Sequence, residues 1–179
     1  SIIEVGGTEL NLPKEVTESG CENRVLITGH RRENFGEGLE NLCRAVKTLS
    51  EKYPTTDFVF PVHLNPTVQK QVNEFFEESN AANVKLIGPQ PYLEFIWLMK
   101  NSHFIISDSG GVQEEAPSLG KPVLVTRDTT ERPEGVTAGT VKLIGTSYDS
   151  IVEYASKLFD DKSFYKEMSI ASNPYGDGT

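Results

Sequence analysis

Very little in this sequence supports a disulfide framework or a metal site. The chain of 179 residues has only two cysteines, Cys21 and Cys43, and such sparse use is typical of a protein kept in a reducing cytoplasm. No CxxC pair, HExxH sequence or Asp-rich loop occurs, and these are common patterns of metal binding. We therefore expect a cytoplasmic protein that holds neither a structural disulfide nor a metal.

Long apolar runs and an excess of basic residues are also lacking. No apolar run approaches the roughly 20 residues of a membrane span, and the N-terminus does not look like a secretory signal. The net charge is −9, from 26 acidic and 17 basic residues, whereas a nucleic-acid surface needs clustered Lys and Arg. We expect no membrane and no nucleic-acid partner, although a small phosphorylated ligand stays compatible with this charge.

Three well-known ligand and nucleophile signatures are missing as well. The chain contains no GxGxxG dinucleotide fingerprint, no Walker A sequence and no GxSxG serine-hydrolase turn. Their absence points away from NAD, ATP and serine-hydrolase chemistry.

Apolar strands alternate with amphipathic segments over most of the chain. The pattern predicts strands at 24–28, 57–61, 84–87, 104–106, 122–125 and 140–144, and helices at 39–53, 66–78, 92–100, 111–119, 146–158 and 164–168. For the penultimate helix, Thr146 is the expected N-cap, with Asp149 three residues on. This alternation predicts a doubly wound, parallel, Rossmann-like α/β sheet in residues 24–179. Residues 1–23 show no clear period and are either a linker or the start of the domain.

Polar residues follow five of the predicted strands. His30 follows the first strand, His63 the second, Gln90 the third, residues 108–111 the fourth and residues 127–134 the fifth. The carboxyl ends of parallel strands share one edge of the sheet, where ligands bind. We therefore expect one site at that edge.

The most informative stretch runs from Ile105 to Ala116. Ser109 is a suitable N-cap, and Gly110 and Gly111 let a ligand approach the helix start closely, where free N–H groups suit a phosphate. Glu115, about one turn further on, suits a pair of sugar hydroxyls. Phosphate beside a diol suggests a nucleotide, while the alternative is an ordinary strand–turn–helix junction with solvated carboxylates.

The histidines have competing interpretations. His30, flanked by Arg31 and Arg32, suits neutralisation of a diphosphate or donation of a proton, although the arginines can instead pair with nearby glutamates. His63 stands directly before a predicted helix, and a capping or packing role is the favoured interpretation from the sequence alone.

Two further groups carry weaker signals. Gln90 and Phe95 suit a uracil pocket, and the alternative is a helix start with core aromatics. Arg132 lies between two carboxylates, in a loop that either reaches a sugar or phosphate or is simply exposed.

Taken in order, these clusters resemble one family. The sequences HRREN at 30–34, PVHLNP at 61–66, DSGGVQEEAP at 108–117, TERPE at 130–134 and NPYGDG at 173–178 are similar to those of the non-hydrolysing UDP-N-acetylglucosamine 2-epimerases. The resemblance implies the C-terminal half of a two-domain, glycosyltransferase-B-like fold. It also implies a missing N-terminal partner domain, as in an expressed fragment or truncated product, and a homodimer when complete.

The resemblance also implies a reaction and a role for each site residue. The complete protein would interconvert UDP-GlcNAc and UDP-ManNAc for bacterial cell-surface polysaccharides, by eliminating and re-adding UDP without a cofactor or metal. By this resemblance, His30 would assist the departure of UDP, while Ser109, Gly110 and Gly111 would bind the phosphates. Glu115 would bind the ribose, Gln90 and Phe95 would form the uracil pocket, and Arg132 would contact the ligand. Arg31 and His63 would bind a second, activating UDP-GlcNAc.

Two other classes of function are compatible with the sequence. One is the nucleotide-sugar domain of a glycosyltransferase with the same architecture, and the other is a UDP-sugar-binding module without activity. The chain alone is expected to be inactive, since the family's proton chemistry is assigned to the other domain.

Overall fold

The computed structural model describes residues 2–29, 36–130 and 133–170 of the chain. The strands in these ranges are β1 (Ile2–Val5), β2 (Thr8–Asn11), β3 (Asn23–Thr28), β4 (Thr56–Pro61), β5 (Val84–Ile87), β6 (Phe104–Ser107), β7 (Val123–Val125) and β8 (Val141–Leu143). The helices are α1 (Lys14–Thr17), α2 (Glu37–Lys52), α3 (Pro66–Ser79), α4 (Tyr92–Lys100), α5 (Gly110–Glu115), α6 (Pro133–Ala138), α7 (Tyr148–Asp160) and α8 (Lys162–Ile170), with a 3₁₀ turn at Ala116–Leu119.

Six strands form one parallel sheet in the order β5-β4-β3-β6-β7-β8. The chain enters the middle of the sheet at β3, builds outward to β5, and returns to place β6 against the other side of β3. This is the strand order of the doubly wound nucleotide-binding folds, which leave a crevice where the winding direction reverses. The predicted doubly wound, parallel, Rossmann-like sheet is confirmed, and its reversal point lies between β3 and β6.

The central strands are buried on both faces, which explains why they are apolar without alternation. In β3, Val25 and Ile27 belong to the core cluster under α2, α3, α7 and α8, whereas Leu26 belongs to the cluster under α1, α4 and α5. All three side chains are fully buried. Helices therefore cover both faces of the sheet, and the packing on both sides positions its carboxyl edge.

Several helix ends differ from the sequence prediction by a few residues, and one predicted helix changes its geometry. The helix predicted at 111–119 is α-helical only to Glu115 and then narrows to the 3₁₀ turn, since Pro117 has no N–H to continue the α-helical ladder. Gly120 ends it in the left-handed conformation (φ 71°), as expected.

The predicted N-cap of α7 was wrong by one residue. Ser147, not Thr146, caps the helix, and its hydroxyl accepts the Ser150 N–H at 3.2 Å. Both neighbours carry a hydroxyl, so local chemistry alone does not choose between them. Asp149 lies in the first turn, where its charge complements the helix dipole.

The N-terminal segment has more structure than its sequence suggested. β1 and β2 pair as an antiparallel hairpin through Gly6 and Gly7, both at positive φ, which a two-residue hairpin turn favours. Leu12 and Val16 are fully buried in the core cluster beneath α4 and α5. The segment therefore packs on the domain. No helix among the described residues is long and apolar enough to cross a membrane.

Candidate functional site

An open cleft with about 570 Å³ of empty space, its mouth included, lies at the carboxyl edge of the sheet. It is built from the ends of β3 to β6 and from the first turns of α4 and α5. Its lining residues are Thr28, Gly29, Pro61, His63, Pro89, Gln90, Phe95, Ser109 and Val112. The structure thus brings four predicted site residues together, namely His63, Gln90, Phe95 and Ser109.

A pair of hydroxyls lies at the reversal point, one of them on Thr28, which lines the cleft. Thr28 ends β3 and Ser107 ends β6, and these two residues are paired across the parallel strands. Their hydroxyls hydrogen-bond to each other while Ser107 Oγ also accepts the Ser109 N–H at 3.0 Å. The turn into α5 is therefore tied directly to the two central strands. Sequence analysis missed both residues, although each is a small polar residue at the end of an apolar run.

The start of α5 matches the geometry of an anion site. Ser109 takes the N-cap position with extended backbone, but its hydroxyl makes no capping hydrogen bond. Apart from its chain neighbours and its own helix backbone, a Cβ added at Gly110 would have no atom within 4 Å, and one at Gly111 would lie 3.7 Å from Ser109 Oγ. The first N–H groups of a helix have no partner within it. The amides of Gly110 and Gly111 are therefore open to a ligand approaching the helix end.

Glu115 lies at the other end of α5 and does not line the cleft. At a rise of 1.5 Å per residue, five residues separate it from Gly110 by about 8 Å. Its side chain is partly exposed. A ligand that touches both positions must extend along the helix, as a nucleotide does between its phosphates and its sugar.

Gln90 and Phe95 form the wall of the cleft beside α4. The Gln90 side-chain Nε2 donates to the Gly88 carbonyl at 2.9 Å, which fixes the orientation of its amide. Phe95 is half-buried and packs against the core cluster under α4. Part of its ring serves the core, as the alternative interpretation held, and part lines the cleft.

His63 combines the two roles considered from its sequence. Its Nδ1 accepts the Asn65 N–H at 3.1 Å, and Asn65 in turn caps α3 by accepting the Thr67 N–H at 2.9 Å. The histidine therefore shapes the turn before α3, which is the local role expected for it. It also lines the cleft beside Gln90 and Ser109, so the same ring is presented to any ligand there.

The sequence also did not reveal a buried polar contact between α5 and the loop that follows β7. Gln113 is fully buried, and its Oε1 accepts from Thr130 Oγ1. The bond ties α5 to the loop that follows β7. Among the residues that the structure describes, the Gln113 Nε2 has no acceptor. A polar residue on the inner face of a short helix is the only sequence signal that marks this position.

Several predicted site residues lie outside the described ranges. His30, Arg31 and Arg132 are among them, as is the 173–178 motif. Gly29, which precedes His30 in the chain, does line the cleft. Within residues 2–29, 36–130 and 133–170, no group of three or more His, Cys, Asp or Glu side chains is placed to hold a metal ion.

Known proteins share this sequence and this fold. A family model described as UDP-N-acetylglucosamine 2-epimerase matches residues 7–179. A UDP-N-acetylglucosamine 2-epimerase of Escherichia coli K12 is 55% identical over 154 residues, which are 86% of this chain and 40% of that protein. A probable UDP-N-acetylglucosamine 2-epimerase of Ralstonia solanacearum is 56% identical over the same shares.

Solved structures agree with the sequence matches. The UDP-GlcNAc 2-epimerase of Neisseria meningitidis bound to UDP-GlcNAc superposes with a TM-score of 0.86 at 51% identity, over 92% of this chain and 44% of that one. The fold is accordingly one half of a glycosyltransferase-B-like pair, and the chain spans about two-fifths of the length of its curated relatives. Because the family model matches nearly the whole chain, the chain belongs to the UDP-N-acetylglucosamine 2-epimerase family.

Proposed function

We propose that this chain is the UDP-binding part of an enzyme that interconverts UDP-GlcNAc and UDP-ManNAc. One observation carries the proposal: a single cleft at the reversal point of the sheet joins an aromatic and amide wall to an open, glycine-bearing helix start. A uridine diphosphate needs both features, one for its base and one for its phosphates. The Neisseria relative is bound to UDP-GlcNAc, which agrees with this ligand.

Each part of the ligand has a proposed contact. Uracil lies against Phe95 and exchanges hydrogen bonds with the Gln90 amide, whose orientation is already fixed. The phosphates take hydrogen bonds from the Ser109 hydroxyl and from the amides of Gly110 and Gly111. Negative charge is favoured there because the helix dipole and the open N–H groups act together. The Glu115 carboxylate accepts from the ribose hydroxyls.

The proposed reaction is elimination followed by re-addition. A base removes the proton from C2 of the sugar, the C1–O bond breaks, and UDP leaves with the bonding electrons, so that a C1=C2 double bond forms. UDP then adds back after C2 has been protonated on the opposite face. This chain supplies the groups that stabilise the departing diphosphate, which is an electrostatic task suited to oriented N–H donors and cations. His30 and Arg132 are proposed to add their charges there.

We propose that another domain of the same protein covers the carboxyl edge and supplies the base. Three large apolar side chains are exposed on the loops and helix start around the cleft: Leu64 at 69%, Tyr92 at 65% and Leu93 at 48%. Exposed apolar groups clustered around a ligand cleft are typical of a surface that another domain covers.

Further features of the complete protein are proposals of the same kind. It is a cytoplasmic homodimer that serves bacterial cell-surface polysaccharide synthesis, and the two free cysteines suit that compartment. Arg31 and His63 hold a second, activating UDP-GlcNAc, and the position of His63 on the cleft supports this role.

Replacing Glu115 with alanine is expected to weaken the binding of UDP much more than the binding of inorganic diphosphate. The carboxylate is proposed to contact the ribose, which diphosphate lacks, and a hydrogen bond to a charged group contributes about 1.5–3 kcal/mol. Loss of a negative charge near the phosphates leaves diphosphate unchanged or bound more tightly. Calorimetric titration of both ligands measures the difference.

The matched control is Glu74→Ala, which removes an exposed carboxylate from α3 and should change neither affinity. Equal weakening of UDP and diphosphate by Glu115→Ala would show that Glu115 does not bind the ribose.

A further inference from the structure

A second cleft lies at the opposite edge of the sheet, where the strands begin. It has about 590 Å³ of empty space, its mouth included, and we call it the basal cleft. Its charged and aromatic lining residues are Glu22, Arg24, Lys100, His103, Lys121 and Tyr165. Arg24 and His103 stand at the starts of the central strands β3 and β6. The length of those strands therefore separates this cleft from the cleft at the carboxyl edge, which we call the nucleotide cleft.

The basal cleft is cationic in a protein that is strongly acidic overall. Arg24, Lys100 and Lys121 line it together with a single carboxylate, Glu22, whereas the whole chain has a net charge of −9. The Glu22 carboxylate accepts from Thr55 Oγ1 at 3.1 Å. Three cationic side chains therefore face one carboxylate that already has a hydrogen-bond donor.

Lys121 is the least expected group in this cleft. It is half-buried, and desolvation lowers the pKa of its ammonium. In the described part of the chain, no carboxylate forms an ion pair with it and no acceptor binds its Nζ. Partial burial of a charge without a counter-ion is unfavourable. An anion bound in this cleft would supply that counter-ion, and its attraction to Lys121 would stabilise the complex.

Arg24 is held rigidly without being neutralised. Its Nη1 donates to the Asn101 carbonyl at 3.1 Å and its Nη2 to the Val16 carbonyl at 2.9 Å. The guanidinium lies 5.2 Å from the centre of the Trp97 ring. These partners orient the group but carry no formal charge, so its positive potential extends into the cleft.

The aromatic wall of the cleft does not compete for the anion. His103 stacks on Tyr165 with ring centres 4.2 Å apart, and the Tyr165 hydroxyl donates to the His103 carbonyl at 2.6 Å. Burial and the charge of Lys121 lower the pKa of the His103 imidazole, and a hydrogen bond to the Leu158 backbone only partly offsets them. The lowered pKa favours the neutral ring, so the lysines and Arg24 carry the charge of the cleft.

We propose that the basal cleft binds a phosphate-class anion, either free phosphate or the phosphoryl end of a small ester, between Lys100 and Lys121 and within the field of Arg24. A dianion there supplies the missing counter-ion for Lys121 and hydrogen-bond acceptors for both ammonium groups. The site is separate from the nucleotide cleft, and its ligand need not be a nucleotide.

NMR titration of the 179-residue chain tests this site. Inorganic phosphate is added at constant ionic strength, set with sodium chloride, and the amides of residues 100–103 and 121 are followed. A saturable shift is expected with a dissociation constant of about 1 mM. The double variant Lys100→Gln, Lys121→Gln should weaken that binding by about tenfold or more. The matched double variant Lys70→Gln, Lys162→Gln, which changes two exposed lysines elsewhere, should leave it unchanged.

Two further comparisons sharpen the test. Glycerol phosphate is titrated beside inorganic phosphate: binding of both supports a phosphoryl ester as ligand, and binding of phosphate alone supports the free ion. Gly110→Ala separates the two clefts, since it should leave the basal shifts intact. The proposal is overturned if phosphate gives no saturable shift beyond that of chloride, or if the Lys100/Lys121 double variant binds phosphate as tightly as the wild-type chain.

Discussion

Gly110→Ala is expected to weaken UDP binding by at least about tenfold, since hydrogen bonds to a charged group contribute about 1.5–3 kcal/mol each. The Cα–Cβ bond of a helical residue tilts toward the helix N-terminus, so the added methyl group would occupy the space proposed for the diphosphate. That space is open in the protein itself, because no atom outside the chain neighbours and the helix's own backbone lies within 4 Å of the added Cβ.

The same substitution should leave the fold intact. Alanine favours a helix over glycine by up to about 1 kcal/mol, so the melting temperature should stay equal or rise. Uridine, which has no phosphate, should bind both proteins equally. Ser163→Ala, in the exposed first turn of α8, is the control for a substitution at another helix start. A folded Gly110→Ala protein that binds UDP as tightly as the wild-type chain would place the phosphates elsewhere.

His30→Ala in the complete, two-domain protein is expected to lower epimerisation by about 10²–10⁴-fold, the range for loss of a positioned acid or base. His30 follows Gly29, which lines the cleft, and a histidine beside the departing diphosphate can neutralise its charge or donate a proton. Conversion of UDP-GlcNAc to UDP-ManNAc and proton-to-deuterium exchange at C2 in heavy water are measured together by NMR.

Two controls accompany this experiment. His103→Gln changes a histidine at the opposite edge of the sheet and should retain activity once folding is verified. The 179-residue chain alone should catalyse no exchange, because positioning a base and the diphosphate-binding groups around one sugar accounts for much of the barrier reduction. Full activity of His30→Ala in the complete protein would remove this histidine from the mechanism.

The sequence predicted the fold and the edge of the candidate site because both depend on local patterns. Buried parallel strands read as continuous apolar runs, and the strand ends are marked by polar residues such as His63 and Gln90. Once the sheet was predicted to be parallel, those residues had to share one edge, and the cleft lined by His63, Gln90, Phe95 and Ser109 confirms that placement.

Contacts between distant segments were not predictable in the same way. The Thr28–Ser107 pair joins residues 79 positions apart, and the Gln113–Thr130 bond joins α5 to a loop. Neither residue type is unusual at its position, so only the assembled sheet reveals the pairs. The basal cleft has the same origin, since Arg24, Lys100 and Lys121 become neighbours only when β3, α4 and β7 are packed together.

Local choices between equivalent residues were also beyond sequence analysis. Thr146 and Ser147 are both good N-caps, and the structure uses the second.

The hairpin of β1 and β2 was overlooked because its strands have only four residues each, too few to show a period, although the Gly6-Gly7 pair is a recognised turn signal.

Titration of the 179-residue wild-type chain with UDP, followed by amide NMR, tests whether the cleft at the carboxyl edge binds this nucleotide. We expect weak, saturable binding in the high-micromolar to millimolar range, or roughly −4 to −6 kcal/mol, because the proposed covering domain is not part of this chain. The shifted amides should be those of Gln90, Phe95 and residues 109–115. If UDP at several millimolar shifts none of these amides, the cleft at the carboxyl edge is not a UDP site, and the proposed function is wrong.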